Sequence, residues 1–179
     1  MAGVEHRLFY AFRIVACVRQ RVARHRDDLR PAPSIVSDDR LHMTLAITND
    51  YPQLPLAAID RLRAIGSGLM ASPVPLRLDQ LSASRGSVAL RPARRIGALA
   101  ALTGTLGRRM AATGLLRDQW RCRPHVTLLC RSAVPFTRTI DPICWTATES
   151  VLIHSIVGEH RHIELDRWPL IERQGSFDF

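Results

Sequence analysis

Apolar residues recur along this chain with two periods, one typical of strands and one typical of helices. Short apolar or alternating runs predict strands near residues 7–17, 40–48, 74–81, 86–90, 123–130, 150–157 and 160–166. Apolar residues at helical spacing predict helices over 18–30, 56–69 and 96–110, and Gly114 provides a C-terminal stop for the last. The segment between 131 and 149 is rich in Pro and Thr, and we interpret it as a loop.

Two of the predicted strands contain the same polar interruption. The segments "RLHMTLAI" (40–47) and "RPHVTLLC" (123–130) each carry the pattern H-x-T-L, with histidines at His42 and His125. For this composition, the odds that two copies arise by chance are about one in a thousand. The copies lie 83 residues apart, near half the chain length, and strand–helix surroundings recur in each half. This repetition indicates an internal duplication.

The alternation of a strand gives the interruption a geometric meaning. Residues i and i+2 point to the same face, so His42 projects with Thr44, and His125 projects with Thr127. The apolar residue between each pair points to the other face, into the core. Two such strands related by a pseudo-two-fold axis would bring two imidazoles and two hydroxyls into one cleft.

This set of side chains favours chemistry on a phosphate. A threonine hydroxyl donates a hydrogen bond to a phosphate oxygen. Imidazoles titrate near neutral pH, so one can act as an acid while the other acts as a base on opposite sides of a phosphorus atom. Threonine is a poor ligand for transition metals, which argues against a pair of metal sites.

Length and composition limit the class of protein. The 179 residues, 46% of them hydrophobic, are expected to form one folded domain over 1–179. There is no apolar run of about 20 residues to span a membrane. Glu5 and Arg13 flank and interrupt the N-terminal apolar run, so we interpret it as a strand rather than a signal peptide and expect a cytoplasmic protein. The four cysteines lack zinc spacing and are expected to be reduced thiols.

The net charge of +9 is concentrated in one part of the chain. Every basic side chain apart from histidine is an arginine, which is partly a coding bias. Residues 85–123 nevertheless hold nine arginines and one acid, Asp118. Such clustering favours a phosphate-rich partner, although a solvated basic face is an equally good interpretation of the charge alone.

The two H-x-T-L motifs resemble those of the 2H phosphoesterase superfamily, and most closely its RNA 2′,3′-cyclic phosphodiesterase, or 2′-5′ RNA ligase-like, group. "RLFYAF" resembles the first strand of that group, and "VLIHS" with "IELDRWPL" resembles its C-terminal hairpin. The resemblance spans about residues 7–170. It implies an α+β fold of two pseudo-symmetric lobes, each a mainly antiparallel sheet with outer helices, around a central cleft that holds both motifs.

The resemblance also implies an activity. It is the hydrolysis of 2′,3′-cyclic phosphate ends of RNA or nucleotides to 2′-phosphomonoesters, with no metal or organic cofactor. By analogy His42 is the general acid that protonates the departing 3′ oxygen, and His125 is the general base that activates water. Thr44 and Thr127 bind the phosphate. The expected partner is RNA with a cyclic phosphate end or a small nucleotide, with no membrane, and we expect a monomer.

The sequence departs from the group at an arginine that often lies five residues after the second histidine. Cys130 occupies that position here, and the arginine is Arg131. A shift of one residue reverses the face of a strand. Either a bulge returns Arg131 to the cleft, where it would bind substrate, or another arginine supplies the charge. An aromatic residue near the C-terminus of the group is replaced by His162.

Three alternative functions stay open. The first is ligation, which joins a 5′-hydroxyl to the cyclic phosphate through a 2′-5′ bond. The second is a different phosphoester, such as a small cyclic nucleotide or ADP-ribose cyclic phosphate. The third is a module that binds a nucleotide without turning it over. For an RNA substrate, we expect Arg108 and Arg109, at the exposed end of the helix over 96–110, to contact the strand.

Overall fold

The computed structural model describes residues 4–29, 34–130 and 134–171, and an eight-stranded sheet forms its centre. The strand order is β6-β3-β4-β5-β2-β1-β7-β8, and every neighbouring pair is antiparallel. The strands are β1 Glu5–Arg13, β2 His42–Ile47, β3 Val74–Ala83, β4 Ser87–Arg91, β5 Val126–Cys130, β6 Phe136–Ala147, β7 Glu149–Val157 and β8 Arg161–Pro169.

The sheet divides into two halves of four strands that meet where β5 lies beside β2. In one half helix α1 (Ala16–Asp27) connects β1 to β2, and in the other helix α3 (Gly97–Ala112) connects β4 to β5. Helix α2 (Leu56–Ser67) links the halves, and a short 3-10 turn over Asp38–Arg40 leads into β2. The expected α+β fold of two pseudo-symmetric lobes is confirmed.

One face of the sheet carries the main core. Alternate residues of β1 point into it, and the apolar stripes of α2 and α3 cover it, as their helical spacing predicted. Buried members include Leu8, Tyr10 and Phe12 of β1, Ile59 and Leu62 of α2, and Leu99, Leu102, Leu106 and Met110 of α3. Among the helices of the described residues, none has the length and apolar character that a membrane crossing needs.

Helix α3 ends as the sequence predicted. Gly114 adopts a positive φ of 69°, and the amide of Leu115 donates to the carbonyl of Met110 at 2.8 Å. A glycine in the left-handed region closes a helix in this way at no steric cost. The turn then directs the chain back along the sheet toward β5.

Strand β6 was not predicted, because its sequence resembles a loop. Phe136–Ala147 contains Pro142, which cannot donate to a sheet ladder. The strand lies at the edge of the sheet, and β3 is its one partner among the described strands; their register shifts between Leu78 and Gln80. An edge position with an irregularity tolerates proline. The period-two burial of Ile143, Trp145 and Ala147 was the signal for a strand.

Candidate active site

The two H-x-T-L motifs lie on neighbouring strands at the centre of the sheet. Met43 of β2 pairs with Val126 of β5 in antiparallel register, and this is the pair that joins the two halves. Both side chains are fully buried in the main core. The residues that flank them in each strand therefore point to the opposite face, which is the cleft face.

Because β2 and β5 are antiparallel, the two motifs lie opposite each other in reverse order. Because Met43 is opposite Val126, the next positions place His42 beside Thr127 and Thr44 beside His125. Each histidine is thus a neighbour of the threonine of the other motif. The structure brings together the four side chains that the sequence singled out, around a pseudo-two-fold axis between β2 and β5.

A second internal repeat lies on the adjacent strands. The segment "AFR" (11–13) of β1 pairs with 42–44, and "ALR" (89–91) of β4 lies against 125–127 in the same register. Each threonine therefore faces an alanine, and each histidine has an arginine beside it on the next strand. The small alanines leave space over the threonines, and the arginines place positive charge next to both histidines.

The leucine of each motif forms a β-bulge. Leu45 lies at the register shift between β1 and β2, and Leu128 lies at the shift between β4 and β5. A bulge adds one residue and changes which side chains face the cleft. Cys130, two residues after the bulge, lines the cleft. Arg131 itself lies outside the described residues.

A cavity of about 180 Å³ opens on this face. It takes in three of the four motif side chains, and His125 stands at its side, close enough for its charge to act on His42. Five strands and the segment before β2 contribute to the wall. The lining residues are Arg7, Phe9, Val36, Arg40, His42, Thr44, Ile47, Thr127, Cys130, Ser155 and His162.

Both motif histidines are held in the same tautomer. Nδ1 of His42 donates to the carbonyl oxygen of Arg40 at 2.6 Å, and Nδ1 of His125 donates to the carbonyl oxygen of Arg123 at 2.6 Å. A carbonyl oxygen only accepts, so each neutral ring carries its proton on Nδ1. The lone pair is then on Nε2 of each ring. Nε2 is therefore the atom available for proton transfer in both motifs.

The electrostatic surroundings lower the pKa of both rings in the free protein. Burial lowers the pKa of His42 to about 4, with smaller contributions from the positive charges of Arg13, His125 and Arg40. Burial also lowers the pKa of His125, and the neighbouring Arg91 lowers it further. The hydrogen bond from each Nδ1 acts in the opposite direction and is outweighed. An anion bound between the rings would favour their protonated forms.

A third histidine, His162, packs against the rings of His42 and Phe9 in the cavity. The ring centroid of His162 lies 5.2 Å from that of His42 and 5.5 Å from that of Phe9, and Phe9 stacks on His42 at 4.9 Å. Burial and then the charges of His42 and Arg40 lower the pKa of His162 to about 3. His162 is thus a neutral ring that packs on His42. Among the described residues there is no cluster of His, Cys, Asp or Glu side chains that could hold a metal ion.

Sequence reasoning overlooked the arginines of the cleft. Arg7 is held by two hydrogen bonds of 2.6 Å to Asp50, and Arg117 binds the same carboxylate at 2.6 Å. Arg40 lines the cavity, and its buried Nε has no hydrogen-bond partner among the described residues. The repeat of "AFR" and "ALR" in the sequence could have identified Arg13 and Arg91. Only the strand register, however, shows that these two arginines lie beside the motif histidines.

The fold and the paired motifs place this protein among the 2H phosphoesterases. A model of the 2′-5′ RNA ligase superfamily matches residues 15–157, and the chain belongs to that superfamily. No curated protein matches the chain significantly.

Solved structures agree with this assignment. LigT of E. coli in complex with 3′-AMP is 25% identical, with a TM-score of 0.78 over 94% of this chain and 99% of LigT. A protein described as a phosphoesterase is 26% identical, with a TM-score of 0.77 over 93% of this chain and 99% of its own. TT0787 of Thermus thermophilus, 18% identical, shares the fold with a TM-score of 0.74 over 93% of this chain and 99% of its own. LigT has also been solved in complex with ATP.

The lowered pKa of His42 leads to a direct test by NMR. A lowered pKa means that the ring is neutral at pH 6 in the free protein and gains its proton only near pH 4. We expect the ¹⁵N signals of its ring to show this midpoint, and saturating inorganic phosphate to shift the midpoint upward. The variant His42→Gln identifies the signal. A midpoint near the ordinary value of about 6.5 in the free protein would contradict the electrostatic description.

Proposed function

We propose that this protein hydrolyses 2′,3′-cyclic phosphate ends of RNA or nucleotides to 2′-phosphomonoesters. The observation that carries the proposal is the crossed pairing of the two motifs, which gives one face two imidazoles with free Nε2 atoms and two threonine hydroxyls. The complexes of LigT with 3′-AMP and ATP support a nucleotide as the reacting group.

The proposed reaction is an in-line displacement at phosphorus. Thr44 and Thr127 donate hydrogen bonds to the phosphate oxygens. One imidazole removes a proton from water as the new P–O bond forms, and the other protonates the 3′ oxygen as the P–O3′ bond breaks. The products are a 2′-phosphomonoester and a 3′-hydroxyl. The resemblance assigns the acid to His42 and the base to His125.

The low pKa of His42 adds a condition to this assignment. A general acid must carry its proton when the substrate is bound, and in the free protein the pKa of His42 is about 4. The negative charge of the substrate phosphate supplies the compensation, because an anion next to an imidazole favours the imidazolium. Substrate binding and protonation of His42 are therefore coupled.

Arg40 is proposed to supply the cation that the group usually has at the position of Cys130. Its side chain lines the same cavity, and its unpartnered Nε is a donor that burial separates from water. Such a group is costly unless a ligand satisfies it. Its carbonyl oxygen also orients His42, so one residue would position the imidazole and neutralise the phosphate.

Ligation is the second candidate, favoured by the family to which the chain belongs. A 5′-hydroxyl would take the place of water, so that a P–O5′ bond forms while the P–O3′ bond breaks. The same acid, base and hydroxyl donors would serve. Incubation with RNA that carries a 5′-hydroxyl and RNA that ends in a cyclic phosphate, followed by mapping of the 2′-5′ linkage, distinguishes the two activities.

The variants His42→Ala and His125→Ala test the proposed function. Each removes one proton transfer, so we expect kcat for a 2′,3′-cyclic nucleotide to fall by about 10²–10⁴-fold in each. His160→Asn is the matched control, because His160 is exposed in the β7–β8 turn and asparagine tolerates its positive φ. Circular dichroism verifies folding. Rates within twofold of the wild type in either alanine variant would refute the two-histidine mechanism.

Arg40→Gln and Cys130→Arg test whether Arg40 replaces the arginine that the group usually has at the position of Cys130. Loss of a charged donor to the phosphate is worth about 1.5–3 kcal/mol, so we expect Arg40→Gln to lower kcat/KM by about 10–150-fold. Adding Cys130→Arg to that variant returns a guanidinium to the cavity and should recover part of the loss. Cys130→Ala in the same background is the control and should recover nothing. An Arg40→Gln variant as active as the wild type would exclude this role.

A further inference from the structure

A second and larger cavity lies beside the second motif. Its volume is about 760 Å³, and its wall is formed by the segment after β4, one side of α3 and the segment before β5. Arg123 and Pro124, which immediately precede His125, belong to that wall. Six arginines line it: Arg91, Arg94, Arg95, Arg108, Arg121 and Arg123.

These six arginines lack the partners that other arginines of the chain have. Within the part of the chain that the structure describes, none of the six forms an ion pair, and the cavity wall contains no carboxylate. Elsewhere in the described ranges seven arginines are paired: Arg7, Arg13, Arg26, Arg63, Arg77, Arg117 and Arg167. The cavity therefore concentrates positive charge with which no described acid forms an ion pair.

Two of the six are close enough to oppose each other. Arg91 is half-buried, and burial and the nearby charge of Arg123 both lower its pKa. Arg91 donates from Nε to the neutral hydroxyl of Ser82 at 2.9 Å, which does not offset the repulsion. Two guanidinium groups in this arrangement are stabilised by an anion between them. The wall is thus suited to a phosphate group.

The remaining wall is apolar and large enough for a base. Ile96, Leu116 and Trp120 contribute to it, and an indole is a stacking surface for any base. Trp120 also packs against the cluster that contains Phe9 and Ile47, and these two residues line the smaller cavity. Trp120 therefore connects the two cavities.

Cavity volumes indicate how a substrate would divide between the two cavities. Ligand sites typically measure about 300–1,000 Å³. The cavity around the motifs, about 180 Å³, is smaller than this range, and the arginine-lined cavity, about 760 Å³, lies within it. The first has room for the reacting phosphate and adjoining atoms, while the second has room for a whole nucleotide. The two cavities are also near each other. Strand β5 separates β2, which lines the smaller cavity, from β4, which ends at the larger one, so these strands are two strand spacings, about 10 Å, apart.

We propose that the arginine-lined cavity binds the nucleotides of an RNA strand on the 5′ side of the cyclic phosphate, making an oligoribonucleotide rather than a mononucleotide the preferred substrate. This rests on the proposed function of the motif cavity. The arginines would contact the phosphates, and Trp120 would stack on a base.

The structure also separates the two arginines expected to contact RNA. Arg109 was expected to contact RNA together with Arg108, but its guanidinium donates to the carbonyl oxygen of Gly68 at 2.7 Å, at the end of α2. It satisfies a helix carbonyl and does not line the cavity. Arg108 does line it. Variants for testing the cavity should therefore leave Arg109 unchanged.

The double variant Arg94→Gln/Arg121→Gln tests the proposal, with Arg19→Gln/Arg61→Gln as the control. All four side chains are exposed, so folding is preserved, and both variants lose two charges. Binding of a 5′-fluorescein oligoribonucleotide that ends in a 2′,3′-cyclic phosphate is measured against salt concentration. Turnover of a 2′,3′-cyclic mononucleotide is measured in parallel.

The proposal predicts a specific loss in the first variant. Each phosphate contact adds about −0.7 to the slope of log K against log salt for a single strand, so two lost contacts reduce the slope by about 1.4. We expect oligonucleotide binding to weaken at least about tenfold relative to the control variant at low salt. Mononucleotide turnover should stay within about twofold of that of the control.

Other outcomes separate this proposal from the proposed function. Equal oligonucleotide binding by the two double variants would overturn the cavity as an RNA site. Displacement of the RNA by polyglutamate at equal charge concentration would also overturn it, since the cavity would then be a general polyanion surface. If neither substrate is turned over but the first variant alone loses RNA binding, the RNA site stands and the proposed reaction fails.

Discussion

The antiparallel pairing of β2 with β5 is the interaction on which the cleft depends. Met43 and Val126 pair at its centre and are fully buried in the core. Their burial fixes the register, because a slip of one residue would turn them toward the cleft and the motif side chains into the core. Hydrophobic packing on one face thus holds four polar groups in place on the other.

The duplication extends beyond the motifs to the strands that flank them. In each half an alanine faces the threonine, an arginine lies beside the histidine, and the motif leucine forms a bulge. The two halves differ in their surroundings. His42 packs on Phe9 and His162, while the side of His125 opens toward the arginine-lined cavity. A symmetric frame therefore holds two imidazoles in unequal surroundings, which suits the separate acid and base roles proposed for them.

The motif residues could be predicted from the sequence because they depend on local alternation. The faces of His42 and Thr44 follow from period two, and the apolar stripes of the helices follow from period 3.6. Features that depend on pairing could not be predicted in this way. The bulge at Leu128, two residues before Cys130, is visible only in the register of β5 against β4. Likewise, an edge position explains Pro142 within β6.

The role proposed for Arg40 shows a different limit of sequence reasoning. Its position two residues before His42 carries no recognisable pattern, and its significance comes from burial and from an unpartnered Nε. Similarly, the arginine excess of residues 85–123 did not reveal which guanidinium groups are hydrogen-bonded to other parts of the protein and which line a cavity. The structure distinguishes Arg109, which binds the end of α2, from the arginines that line the large cavity.

The central claim is that the two motifs act on one phosphorus atom as a single centre. The double variant His42→Ala/His125→Ala, compared with the two single variants, tests it most directly. Residues that act as a unit give strongly non-additive losses. We expect the double variant to hydrolyse a 2′,3′-cyclic nucleotide about as slowly as the slower single variant. A loss equal to the product of the two single losses would show that the histidines act independently and would contradict the account.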